Sequence, residues 1–195
     1  MRKSVHKSIS ILLTGTPGTG KTSMAIAWCK KNGWKYLSLN DIVEKKKLYS
    51  RIDKKDGAKI VKLGALEREA NKEIARSSSP VLVEGHLGCE LKLSVDRVLV
   101  LRLEPKELVR RLHKRSYSAS KLQENKMVEL LDYCTVRSID VYGARAVYEM
   151  DVSDKSKKGN LLRFARFASA RIVSSSFKPH VAWSAALEAE AQKSV

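Results

Sequence analysis

Eight consecutive residues, Gly15-Thr-Pro-Gly-Thr-Gly-Lys-Thr22, constrain this chain more than any other feature. They satisfy the pattern G-x-x-x-x-G-K-[ST], a glycine-rich loop whose main-chain amides converge on phosphate oxygens. Such a loop requires a strand before it and a helix after it. Ile9-Ser-Ile-Leu-Leu-Thr14 reads as a short buried strand stopped by Gly15, and Lys21 to Asn32 reads as a helix ended by Asn32-Gly33. Gly15, Gly18 and Gly20 permit backbone angles closed to other residues, so amide hydrogens can turn inward. The positive end of the helix dipole adds to the attraction at Lys21, Thr22 and Ser23. In this pattern Lys21 reaches the β and γ phosphates of a nucleoside triphosphate, ATP or GTP, and the Thr22 hydroxyl ligates Mg²⁺.

The rest of the chain alternates between the two periods. Lys35 to Leu39 is a second strand candidate. Asn40 to Gly64 is polar and charged, an insertion expected to hold short helices and loops. Leu66, Ala70 and Ile74 step along one helix face. Val81-Leu-Val83 and Val98 to Leu103 are unbroken apolar runs, as in parallel strands covered on both faces. Helix resumes after Pro105, a good first-turn residue. A polar break at Lys114 to Ser120 precedes a long helix, with Met127, Leu130, Leu131, Cys134 and Val141 on one face. Ala146 to Val152 is a last strand and Leu161 to Ile172 a last amphipathic helix, with Arg163, Arg166 and Arg171 toward water. From Ser174 the chain reads as a tail. Strands alternating with helices imply right-handed crossovers, hence a three-layer α/β/α fold with a parallel central sheet.

Composition narrows the class. With 195 residues the chain suits one α/β domain, and no apolar run approaches the roughly 18 residues needed to span a bilayer. The opening Met1 to Lys7 lacks a long apolar stretch, so no secretory signal is expected. Cys29, Cys89 and Cys134 are far apart and odd in number, which argues against a disulfide framework or a four-ligand zinc site and fits a reducing cytoplasm. The net charge of +17 is the outlier and attracts polyanions whatever the fold. It is read either as a lysine-rich solvated surface or as a nucleic-acid site. The solvated surface is the preferred reading, although clustering favours the second somewhat: Lys45, Lys46, Lys47, Arg51, Lys54, Lys55, Lys59 and Lys62 stand against only Asp53 and Asp56 in the same stretch.

Several side chains outside the loop bear on chemistry. Glu84 ends a buried strand at the carboxyl edge, where open α/β sheets bind ligands, and is placed to order Mg²⁺-bound water. His86 either positions water or a monophosphate, or is a hydrogen-bonded structural histidine. Arg102 also ends a strand; a surface ion pair is preferred to a substrate contact. Asn40 and Asp41 head the insertion and either cap a helix or touch substrate. Trp28 and Met24 read as core. Lys121, Glu124 and Asn125 read as a network within one helix.

The phosphate loop alone leaves several enzyme classes open, although the chain carries no Asn-Lys-x-Asp stretch for reading guanine. Four further segments narrow the choice. Lys35-Tyr-Leu-Ser-Leu-Asn-Asp-Ile42, Val83-Glu-Gly-His86, Arg115-Ser-Tyr-Ser-Ala-Ser-Lys-Leu-Gln-Glu-Asn125 with Glu129 beyond, and Lys178-Pro-His-Val-Ala-Trp183 follow the loop in order. Over about residues 9 to 152 the chain resembles the archaeal and eukaryotic adenylate kinase family that includes the coilin-interacting nuclear ATPase. Residues 1–173 would then form the kinase domain, with a monophosphate-binding insertion at about 40–64, a lid at about 114–124 and a tail at 174–195.

The resemblance implies reversible phosphoryl transfer from ATP to AMP or another nucleoside monophosphate, with Mg²⁺. It also implies ATPase activity and a part in late maturation of the small ribosomal subunit, through transient binding to a small-subunit ribosomal protein and pre-ribosomal rRNA. Arg115, opening the lid, would close over the phosphates or the adenine. The chain departs from the family at Ser116, where the family carries Gly, and at Lys62, where it carries Asp. Two other readings stay open: a ribosome-assembly factor whose ATP site is a timing switch, and a kinase for another small metabolite.

Overall fold

In a computed structural model of the protein, residues 8–52, 59–153 and 156–192 are described. The central sheet contains β1 (Ser10–Thr14), β2 (Lys35–Ser38), β5 (Val81–Glu84), β6 (Arg97–Arg102) and β7 (Val147–Asp151), in spatial order β2-β5-β1-β6-β7. Every pairing in it is parallel. The unbroken apolar runs now have their reason. Ile11, Leu13, Leu82, Leu99 and Leu101 point into one core, while Leu12, Val81, Val83, Val98 and Val100 point into the other. The first core is closed by α1 (Lys21–Asn32), α4 (Pro105–His113) and α7 (Lys157–Ser169). The second is closed by α2 (Leu39–Lys46), α3 (Leu63–Ala75) and α6 (Tyr133–Tyr142). Trp28 on α1 meets Trp34 and Phe164 edge-on at 5.7 and 5.4 Å, which joins α1 to α7.

The insertion differs from the expected helices and loops. It holds one helix, α2, and a two-stranded antiparallel sheet of β3 (Tyr49–Ile52) and β4 (Lys59–Val61). The strands are four and three residues long and mostly exposed, so they carry no apolar alternation to read. Lys54, Lys55, Asp53 and Asp56, part of the basic stretch, lie outside the described residues, as does the chain start at 1–7.

The long helix expected after Ser120 is two helices, α5 (Ala119–Leu130) and α6. Asp132 breaks it with φ +54, a left-handed conformation that Asp tolerates better than most residues. Its carbonyl then starts α6 by accepting from Thr135 and Val136, while its carboxylate pairs with Arg102. Leu131, expected inside, is thereby turned out to 55% exposure. The last helix starts earlier than expected, capped by Ser156, and ends before Arg171; Arg163 bonds the Asp151 carbonyl at 2.5 Å.

The described residues beyond Ser174, 175–192, pack against the domain. Phe177 is buried 5.4 Å from the Phe167 ring, and α8 (Ser184–Ala191) lies on α5 through a Lys126–Glu190 ion pair of 2.5 Å.

Candidate active site

The loop between β1 and α1 has the backbone the motif demands. Gly15, Gly18 and Gly20 have φ of +130, +96 and +102. A Cβ on Gly15 would collide with the Leu101 carbonyl oxygen, and one on Gly18 would lie 2.8 Å from Leu112. Gly20 caps α1 without a side chain, so the first-turn amides of a 12-residue helix are directed at the loop. Thr22 and Ser23 are exposed in that turn.

Lys21 is buried, its ammonium donating to the carbonyls of Gly15 at 2.8 Å and Thr16 at 3.0 Å. Burial lowers its pKa, an effect that the negative charge of Glu84 opposes. A cation held this way gains by meeting an anion, because the field of a phosphate offsets its lost hydration.

Glu84, at the carboxyl end of β5 and 4% exposed, accepts from the Tyr36 hydroxyl at 3.0 Å. Burial and the Glu84 charge together push the Tyr36 phenol up, so it stays a donor. The turn beyond is tied to β1 by the Thr14 hydroxyl, which donates to the Gly85 carbonyl at 3.0 Å. Gly85 admits the Leu39 side chain, where a Cβ would be 2.8 Å away, and so seats the start of α2 beside the loop. The His86 pKa is lowered to about 4 by burial and by Lys21, leaving a neutral imidazole.

Mg²⁺ keeps several waters and takes one or two oxygen ligands from a protein. One hydroxyl, Thr22, and one buried carboxylate, Glu84, fit that habit. Among the described residues no cluster of three or more His, Cys, Asp or Glu could form a full cage.

On the other side of the loop lies a cavity of about 700 Å³, within the range of small-ligand sites. Gly18, Gly20, Ser23 and Met24 form one wall; Arg110, Arg111, Lys114, Arg115, Lys157 and Lys158 bring positive charge to the others. Arg110 and Arg111 share Glu107 at 2.6 to 2.8 Å, which holds that carboxyl at about 2. Met24, expected as core, lines this cavity as well as packing inward.

Arg115 stands exposed on the rim. The helix end explains its display. Tyr117 N–H donates to the Leu112 carbonyl and Ser116 N–H to that of His113, with Ser116 at φ +58. This is a Schellman ending with serine in its left-handed position, normally glycine, and Arg115 at the cap just before it.

Asn40 and Asp41 lie exposed in the first turn of α2, but neither caps it. The cap is Ser38, whose Oγ accepts from the Asp41 amide at 3.1 Å. Asp41 lines a second cavity of about 260 Å³ with Tyr36, Ser38 and Lys45. Tyr36 thus touches both this cavity and Glu84.

Arg102 corrects a sequence expectation. It is 1% exposed, not on the surface. Its Nε bonds Glu129 at 2.7 Å and one terminal nitrogen bonds Glu149 at 2.6 Å and the Val181 carbonyl at 3.2 Å; the other bonds Asp132 and the Glu129 carbonyl at 3.1 Å. Glu129, buried on α5, also accepts from the Thr16 hydroxyl of the loop at 2.5 Å. The sequence offered a hint only in Glu129 itself, an acid one turn past a polar segment.

A family model described as an AAA domain matches residues 11–132, more than half of the chain. A Methanosarcina mazei protein named "Putative adenylate kinase" is 32% identical over 164 residues, covering 76% of this chain and 81% of its own. The chain belongs to an adenylate kinase-like family. A Halobacterium salinarum protein of the same name is 37% identical over 147 residues, covering 75% of this chain and 82% of its own. In fold the chain is similar to a gluconokinase from Sinorhizobium meliloti, with a TM-score of 0.51 at 18% identity over 84% of this chain and 99% of that one. The adenylate kinase-like chain is therefore a P-loop nucleotide kinase in class. Among its described residues no helix is long and apolar enough to cross a membrane.

Proposed function

We propose that this protein is a nucleoside monophosphate kinase of broad adenylate kinase type. It transfers the γ-phosphoryl group of ATP reversibly to AMP or another monophosphate, with Mg²⁺. The observation that carries this reading is the buried Lys21 ammonium among the carbonyls of a loop whose Gly18, Thr19 and Gly20 line a cationic cavity of about 700 Å³. In the transfer a monophosphate oxygen attacks the γ phosphorus and the bond to the β–γ bridging oxygen breaks, leaving ADP and the diphosphate of the acceptor, which is a second ADP when the acceptor is AMP. Little covalent work falls to the protein, which positions and neutralises charge.

Each residue then has a role. Gly15, Gly18, Gly20, Lys21, Thr22 and Ser23 hold the triphosphate. Thr22 and, through water, Glu84 hold Mg²⁺. Arg115, from a lid at about 114–124, closes over the phosphates. The insertion at about 40–64, with Asn40 and with Asp41 on the cavity that Tyr36 also lines, receives the monophosphate. His86, neutral at pH 7, orients the acceptor or, in its absence, a water, which gives a slow ATPase activity.

A second role is favoured by the charge of +17 and the stretch from Lys45 to Lys62. In this role, which the resemblance to the family of the coilin-interacting ATPase implies, the protein binds pre-ribosomal rRNA and a small-subunit ribosomal protein in the cytoplasm, and ATP turnover times its release.

A panel of nucleoside monophosphates with Mg·ATP, run at two salt concentrations, tests the reading. ADP formation that depends on AMP and varies little with salt supports the kinase. Phosphate release indifferent to every monophosphate, together with salt-sensitive RNA binding, would replace it with the assembly-factor role alone.

A further inference from the structure

Behind the phosphate loop, Glu129 is a junction between the nucleotide site and the far end of the chain. One of its oxygens accepts from the Thr16 hydroxyl at 2.5 Å. The other accepts from Arg102 Nε at 2.7 Å, the Leu103 amide at 3.2 Å and the Trp183 indole N–H at 3.1 Å. Thr16 in turn offers its carbonyl to Lys21 Nζ at 3.0 Å. Three hydrogen bonds therefore lead from Trp183 to the ammonium beneath the triphosphate.

The end segment is built to hold Trp183 there. The amides of His180 and Val181 donate to Glu149 at 2.9 and 3.0 Å, and the Trp183 ring lies 5.7 Å from the Arg102 guanidinium. Gln123 on α5 donates to Glu190 at 3.0 Å. A buried carboxylate short of donors is costly, so the indole N–H that the end segment supplies is one of the four donors that fix where Glu129 rests. Its position determines where the Thr16 hydroxyl, and with it the loop, is held.

We propose that Glu129 and Trp183 are positioning residues for the phosphate loop, the end of the chain acting through the Trp183–Glu129–Thr16 chain of hydrogen bonds to set its grip on ATP. Neither residue lines the cavity beside the loop. The proposal rests on the reading of this loop as the ATP site.

Full-length Trp183→Phe, which keeps a ring beside Arg102 but lacks the N–H, is compared with the parent by calorimetry with Mg·ATP and by a kcat and KM split. The expected result is three- to tenfold weaker ATP binding and a raised KM for ATP, with the KM for AMP unchanged. In a Thr16→Val background the same change has no further effect, because the link is already cut. Thr16→Ser, which retains the hydroxyl, keeps parental affinity and Thr16→Val does not; this pair tests the chain even if Trp183→Phe fails to fold. Parental ATP affinity in a folded Trp183→Phe protein, or losses that multiply in the double variant, would overturn the positioning role. A folded parent that binds no ATP would instead defeat the reading of the loop.

Discussion

Replacing Arg102 by leucine removes one buried charge and every hydrogen bond its guanidinium makes. Its five N–H groups are engaged, by Glu129, Asp132, Glu149 and two backbone carbonyls. Burial opposes its charge, yet Glu129 and Glu149 hold its pKa above the ordinary arginine value. Leucine would leave those carboxylates, 2% and 1% exposed, without a counter-charge. Removing one partner of a buried ion pair costs about 3–5 kcal/mol, a large share of the roughly 5–15 kcal/mol that holds a domain together. At a slope of about 2 kcal/mol per molar urea, the unfolding midpoint falls by about 2 M. Urea unfolding followed by circular dichroism reads this directly. Adding Glu149→Gln to Arg102→Leu costs less than the two single losses combined, since one carboxylate no longer needs its partner. A loss below about 1 kcal/mol, or strict additivity, would refute the claim that this network is buried and coupled.

Four further outcomes are expected. Lys21→Met abolishes phosphoryl transfer with an unchanged circular dichroism spectrum, and turnover near the parent's would remove Lys21 from the site. Arg115→Ala, at an exposed rim position, lowers kcat at least tenfold while calorimetry finds ATP affinity within about threefold, as for a group acting mainly in the transition state. Ser116→Gly relieves a left-handed serine and stabilises the fold by about 1 kcal/mol, seen as a rise of a few degrees in Tm. Between pH 6.5 and about 4 the unfolded chain protonates His86 while the folded chain resists, so stability present above pH 6.5 falls by up to about 3 kcal/mol. His86→Gln flattens that part of the stability profile in urea titrations.

The parts of the fold legible in the sequence were those coded locally. The loop from Gly15 to Thr22, its apolar strand and the Gly33 helix stop are contiguous signals, and the structure has φ +67 at Gly33. The apolar runs at Val81 and Val98 announced strands covered on both sides. What escaped depends on distant partners. The break at Asp132 is held by Arg102, thirty residues earlier, so helical period alone carried the expected helix through it. Arg102 looked like a strand-end surface residue because Glu129 and Glu149, which bury it, come from two later elements. The strands of the insertion are too short and too exposed to leave a pattern. The cationic walls of the large cavity, Arg110, Arg111, Lys157 and Lys158, are ordinary basic residues until the sheet order brings α4 and α7 beside the loop.

Phosphorus NMR of the full-length protein with Mg²⁺, ATP and AMP is the most direct test. It should show ADP arising with matched loss of ATP and AMP, the reverse on adding ADP alone, and neither in Lys21→Met. A folded parent that leaves all three nucleotides unchanged would contradict the account at its base.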